Sequence, residues 1–113
     1  TMVARAGEVV AQLQAQDKSV RLSALKQVKN EIIGNKFKKQ AFLSAGALPM
    51  VLSMLRTVSE PDVLVQSIVT LGSFGYGTGA EAAVLVQSEG VTALVSALSS
   101  GNEQVVEACV RAL

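Results

Sequence analysis

Nucleophilic catalysis by Ser or Cys usually needs an imidazole beside the nucleophile, and this chain contains no histidine. The same gap removes the commonest neutral metal ligand. Cys109 is the lone thiol. On an apolar helix face it reads as a small buried residue, kept inert by its surroundings. The run Gly72-x-x-Gly75-x-Gly77-x-Gly79 has the glycine density of a phosphate cradle. A P-loop, however, needs Gly-Lys-Ser/Thr after its glycines, and a dinucleotide site needs a preceding strand. Here a helical segment precedes and no Lys follows, so the run reads as a helix stop and a sharp turn. Asp17, Glu60, Asp62, Glu81 and Glu103 stand at predicted helix starts, where the helix dipole accounts for them. No pair of acids converges. We assign no catalytic, cofactor-binding or metal-ligating residue and expect a non-enzymatic protein with no cofactor.

The elements around these residues are helices with clear punctuation. Val9, Val10 and Leu13 on an Ala/Gln background predict an amphipathic helix over 3–15. Asp17 caps a second helix whose Ala24, Leu25, Val28 and Ile32 form a core stripe, ended by Gly34-Asn35. Residues 36–44 form a short basic helix that buries Phe37, Ala41 and Phe42, closed by Gly46. Residues 48–58 follow, with Pro49 tolerated in the first turn. Ser59-Glu60-Pro61-Asp62 opens a helix that buries Leu64, Ser67, Ile68 and Leu71. Thr78 and Ser100 begin two further capping boxes, with residues 91–98 as a helix between them.

These elements repeat. Val20-Arg21-Leu22-Ser23-Ala24-Leu25 returns as Val63-Leu64-Val65-Gln66-Ser67-Ile68 and as Val105-Val106-Glu107-Ala108-Cys109-Val110, steps of 43 and then 42 residues. Ser44-Ala45-Gly46-Ala47-Leu48 returns as Ser88-Glu89-Gly90-Val91-Thr92. A helical period in the forties is the mark of armadillo and HEAT solenoids. The short, medium, long rhythm gives three helices per unit, which favours armadillo. We therefore expect an all-α, right-handed α-solenoid: residues 1–34 as a first unit lacking its short helix, 35–76 as a second, and 77–113 as a third truncated in its last helix.

Composition narrows the function. Half of the residues are hydrophobic and 17% charged, enough for a core, while only four are aromatic, too few for a typical β-sandwich. Residues 63–80 are uncharged, but Gly75-Tyr76-Gly77-Thr78-Gly79 would break any spanning helix. Residues 1–39 hold eight of the ten basic side chains and three of the nine acidic ones. That asymmetry points to a local basic patch, centred on Lys36, Lys38 and Lys39, and not to a chain that binds nucleic acid throughout. The patch is either a solvated convex face or a contact for an acidic partner segment.

The chain resembles the armadillo-repeat family over nearly its whole length, through the Gly before each middle helix and the small-residue slot of each long one. A closer resemblance rests on Lys29-Asn30-Glu31-Ile32-Ile33-Gly34-Asn35, Gly46-Ala47-Leu48-Pro49, Leu71-Gly72-Ser73 with Gly77-Thr78, and Glu107-Ala108-Cys109-Val110-Arg111. In that order they resemble the N-terminal repeats of the armadillo subunit of the CTLH/GID E3 ubiquitin-ligase complex. The resemblance implies a non-catalytic scaffold, cytoplasmic and nuclear, that joins the ligase core to its substrate receptor. Its partners would be other ligase subunits, with no small-molecule substrate. The alternative is an armadillo adaptor in a transport or adhesion assembly; an RNA-binding helical repeat is more remote.

In armadillo proteins the long helix of each unit lines the concave face. That assigns Ser23, Lys26, Gln27 and Asn30 in the first unit, Gln66, Val69, Thr70 and Ser73 in the second, and Gln104, Ala108 and Arg111 in the third as protein-binding residues. Armadillo nuclear-import adaptors place Trp on this face with Asn four residues later. Here the Trp slots hold Lys26, Val69 and Arg111, and the chain has no Trp. Two cations in those slots would repel a basic peptide, so an acidic or neutral segment fits better. The stripe of Val106, Cys109, Val110 and Leu113 lacks a following unit, and self-association through that end is expected.

Overall fold

Short polar side chains set the helix starts, each offering an oxygen to a backbone N–H that has no partner inside the helix. The computed structural model describes residues 1–58, 60–75 and 101–112, whose regular elements are all helices, with no strand among them. The helices are α1 (Met2–Gln12), α2 (Lys18–Ile32), α3 (Lys36–Ser44), α4 (Ala47–Thr57), α5 (Pro61–Gly75) and α6 (Glu103–Ala112). Thr1 caps α1 by accepting from the Ala4 N–H at 3.0 Å. Asp17 caps α2 through the Ser19 N–H at 2.8 Å, and Asn35 caps α3 through the Lys38 N–H at 3.0 Å. The Thr78 capping box, the 91–98 helix, Ser59, Ser100 and the glycines beyond Gly75 lie outside the described residues.

Three expectations shift. First, α1 stops at Gln12 because the chain tightens: Gln14 and Ala15 donate to the carbonyls of Ala11 and Gln12 in single-turn bonds. Second, the cap of α6 is Asn102, whose Oδ1 accepts from the N–H groups of Gln104 and Val105 at 3.0 and 3.2 Å. Gly101, at φ +76°, turns the chain just before that cap. Gly72 lies within α5, which runs to Gly75, the second glycine of the run; the turn expected beyond it lies outside the described residues. Third, Phe37 is 69% exposed, with the Lys36 ammonium 5.5 Å from its ring centroid. Ala41 and Phe42 carry the burial of α3, one turn further along.

Packing follows the repeat. Helices α3, α4 and α5 run to 9, 11 and 15 residues, the short, medium, long series. The two long helices α2 and α5 lie against one another, and α6 lies against α5 in turn. Helix α1 packs on α2 and α3, and α4 on α3 and α5. The small slot at the contact between long helices holds Ala24, Ser67 and Cys109, all fully buried. Ser67 satisfies its hydroxyl within the helix by donating to the Val63 carbonyl at 2.8 Å. Burial raises the Cys109 thiol above its ordinary pKa, which disfavours the reactive thiolate.

Equivalent positions show which neighbour each residue meets. Val63 and Val105 are buried, whereas Val20 at the same register is 37% exposed. Leu25 and Ile68 are buried, whereas Val110 is 63% exposed. Among the described residues, α2 and α6 are each flanked by a long helix on one side only, and α5 on both. A buried Leu or Ile contributes about 1.5–3 kcal/mol relative to exposure, so the shared stripe is the main adhesive between long helices. Two ion pairs cross the same junction, Lys18–Asp62 at 3.0 Å and Arg21–Glu60 at 2.8 Å.

Candidate protein-binding surface

The polar face of α2 opens onto a cleft of about 760 Å³. Ser23, Lys26, Gln27 and Asn30 all line it, together with Arg5 from α1 and Lys38 from α3. Ser23, Lys26 and Asn30 are exposed, and their side chains make no hydrogen bond or ion pair among the described residues. The floor is organised by Glu31. Its carboxylate meets the Arg5 guanidinium at 3.1 Å and the Lys38 ammonium at 3.7 Å, and accepts from the Gln27 amide at 3.0 Å. The Glu31 side chain is only 14% exposed, so it ties α1, α2 and α3 together from below.

A second cleft, of about 380 Å³, lies between α5 and α6. Val69, Gln104, Ala108 and Arg111 line it with Ile68 and Gly72, so four assigned residues from two helices do meet. Its chemistry differs from the first. Gly72 and Ala108 leave the floor hollow, Val69 is part-exposed, and Arg111 is engaged by Glu107 one turn earlier.

Thr70 does not belong to this surface. It is fully buried, with its hydroxyl 2.8 Å from the Gln66 carbonyl oxygen and 3.3 Å from that of Leu25 on the neighbouring helix. The reason lies in the width of the core stripe. Helix α5 is covered by α2, α4 and α6, so Val63, Ser67, Thr70 and Phe74 are buried at i, i+4, i+7 and i+11 beside the Leu64, Ile68, Leu71 row. Gln66 is half-buried, and its Oε1 is enclosed with no hydrogen-bond partner. Ser73 is also half-buried and donates back to the Val69 carbonyl at 3.0 Å.

The three lysines of α3 do not form one patch. Lys36 is exposed, Lys38 reaches Glu31 at the first cleft, and Lys39 is buried, where desolvation lowers its pKa. Three residues of a single helical turn point in three directions, so their adjacency in sequence does not make a shared surface. Arg5 and Glu31 were not assigned from sequence. Glu31 lies on the core side of α2, and Arg5 comes into reach only because α1 packs on α2 and α3. No groups of His, Cys, Asp and Glu able to hold a metal occur among the described residues. No helix among them is long and apolar enough to cross a membrane.

Comparison with known proteins bears on the fold. Residues 82–113 match the family model for the Armadillo/beta-catenin-like repeat. The fold is that of an armadillo solenoid. Armadillo repeat-containing protein 8 of Xenopus laevis is 33% identical over 87 residues, which cover 76% of this chain and 12% of that protein. The protein of the same name from Mus musculus is 32% identical over 87 residues, covering 76% of this chain and 13% of its own length. The chain thus spans about an eighth of these armadillo relatives. An engineered protein of known crystal structure superposes with a TM-score of 0.84 over 96% of this chain and 43% of its own, at 22% identity. That likeness concerns fold alone. Armadillo repeats bind proteins in general.

Proposed function

We propose that this armadillo solenoid is part of a non-catalytic scaffold of a CTLH/GID-type E3 ubiquitin ligase, joining the ligase core to its substrate receptor in cytoplasm and nucleus. The observation that carries the reading is the ordered set of motifs from Lys29-Asn30-Glu31-Ile32-Ile33-Gly34-Asn35 to Glu107-Ala108-Cys109-Val110-Arg111, which resembles the armadillo subunit of that complex. The geometry agrees with the scaffold part of it. Ser23, Lys26 and Asn30 stand open on α2 with no internal partner among the described residues, as residues kept for another protein would. Lys26 in that position also argues against a basic transport signal as the cargo.

Affinity capture from native extract tests the proposal. The chain is expected to recover ligase core subunits, and a Lys26→Glu/Asn30→Ala variant of unchanged melting temperature is expected to lose them. Absence of those subunits from the capture by the unaltered chain would remove the ligase assignment.

A further inference from the structure

The cleft over α2 has a charge imbalance that its own carboxylate leaves standing. Arg5, Lys26 and Lys38 line it, and Glu31 is the one acidic side chain among the lining residues. Glu31 is already divided between Arg5 and Lys38, at 3.1 and 3.7 Å, and neither cation is buried by the contact: the Arg5 side chain stays 61% exposed. Lys26 has no ion-pair partner among the described residues. Asn30 and Ser23 beside it add uncommitted amide and hydroxyl groups suited to a peptide backbone.

We propose that this cleft docks an acidic, extended segment of a partner protein, with one carboxylate on Lys26 and a second between Arg5 and Lys38. The proposal rests on the scaffold reading and adds the chemistry of the partner. Glu31 then acts as an internal stand-in: in the free chain it occupies the cations that the partner's carboxylate shares on binding. RNA is the weaker occupant. No aromatic ring lines the cleft to stack a base, and the chain's formal charge is only +1. Glu60 and Asp62 at the start of α5 are engaged by Arg21 and Lys18, and Asp17 is held at the cap of α2 by the N–H and hydroxyl of Ser19.

Fluorescence anisotropy on the 113-residue chain tests this with a labelled peptide alternating Glu and Ser, its Gln/Ser counterpart, and a labelled oligouridine. The Glu peptide is expected to bind at low salt and weaken as salt rises, and the Gln peptide to bind at least tenfold more weakly. Lys26→Glu should reduce affinity for the Glu peptide about tenfold, as reversal of an exposed charge at a contact does. Glu31→Gln should raise it severalfold, a gain that a merely structural Glu31 would not produce. Circular dichroism melts confirm that each variant is folded, and Lys26→Gln, expected between wild type and Lys26→Glu, supplies a milder second variant. Equal binding of the two peptides, indifference to Lys26→Glu, or binding of oligouridine alone would overturn the proposal. Dimerisation of the chain abolished by Lys26→Glu would put a second copy in the cleft and overturn it as well. The two readings fail separately. Ligase subunits captured without any Glu-peptide binding remove only the acidic partner, whereas Glu-peptide binding without ligase subunits removes only the ligase.

Discussion

Lys26 and Val69 occupy the same position of successive long helices, 43 residues apart, yet they serve clefts of different character. Around Lys26 the walls carry Arg5, Lys38 and the shared carboxylate of Glu31. Around Val69 they carry Ile68, Ala108 and Gly72, with Gln104 and the Arg111–Glu107 pair of α6 on the far side. On the buried side of the long helices the contacts are interchangeable: Ala24, Ser67 and Cys109 fill one small slot, and Leu25 and Ile68 one large one. A solenoid must repeat the residues that touch the next long helix, because each unit is buried only by its neighbours. It is free to vary the residues that face outward. The repeat therefore encodes the stack, and the departures from it encode what the stack can bind.

That separation can be broken most forcefully at the shared register. Ile68→Ala is expected to destabilise the chain by about 2–5 kcal/mol, the range for truncating a fully buried aliphatic side chain. Val110→Ala, the same register on α6, should change stability by less than about 0.5 kcal/mol, since that side chain is largely in solvent. Urea unfolding of both variants gives the comparison, and similar losses would mean that Val110 is covered in solution.

A middle-sized effect is expected from the charged cleft. Glu31→Ala removes the group that links three helices and should cost about 1 kcal/mol, modest because Arg5 and Lys38 regain water. Lys26→Val, which gives the first cleft the residue of the second, should leave stability within about 0.5 kcal/mol. Thermal melts of the two variants side by side would show whether the floor and the rim of the cleft differ in this way.

The smallest effect concerns pH at the junction of the two long helices. The Lys18 hydrogen bond holds Asp62 below its ordinary value of 3.8, and the same bond holds Lys18 above its ordinary 10.5. The Asp62 contribution is thus present above 3.8 and lost as pH falls through the lowered folded value. The Lys18 contribution is present below 10.5 and lost as pH rises through the raised one. Melting curves of wild type and Asp62→Asn should therefore differ slightly at neutral pH and converge at both extremes. A gap that persists in strong acid would show that Asp62 matters for something other than this pair.

Much of the architecture was legible in the chain of letters. Asp17 announces a helix start because its side chain can satisfy backbone donors locally, whereas Asn35, which reads as the end of α2, is also the cap of α3. Gly46, at φ +86°, announces the break before α4 because only glycine takes that conformation at little cost. Ala24, Ser67 and Cys109 were recognisable as one slot from their spacing and size. Ser23, Lys26, Gln27 and Asn30 were likewise placed on one open face by helical periodicity, since all four belong to a single element.

Residues whose role depends on a neighbouring element could not be read this way. Thr70 is polar and lies beside residues of the exposed face, but a helix covered on several sides buries a wider stripe than an amphipathic pattern suggests. Lys39 follows Lys38 directly, and only the packing around α3 separates a cleft residue from a buried one. Arg5 and Glu31 are 26 positions apart and meet through the contact of α1 with α2. Periodicity acts along one helix and is written locally, so the elements and their shared register follow from residue order. The charge of a cleft is summed over side chains from three helices, and that sum exists only once those helices have come together.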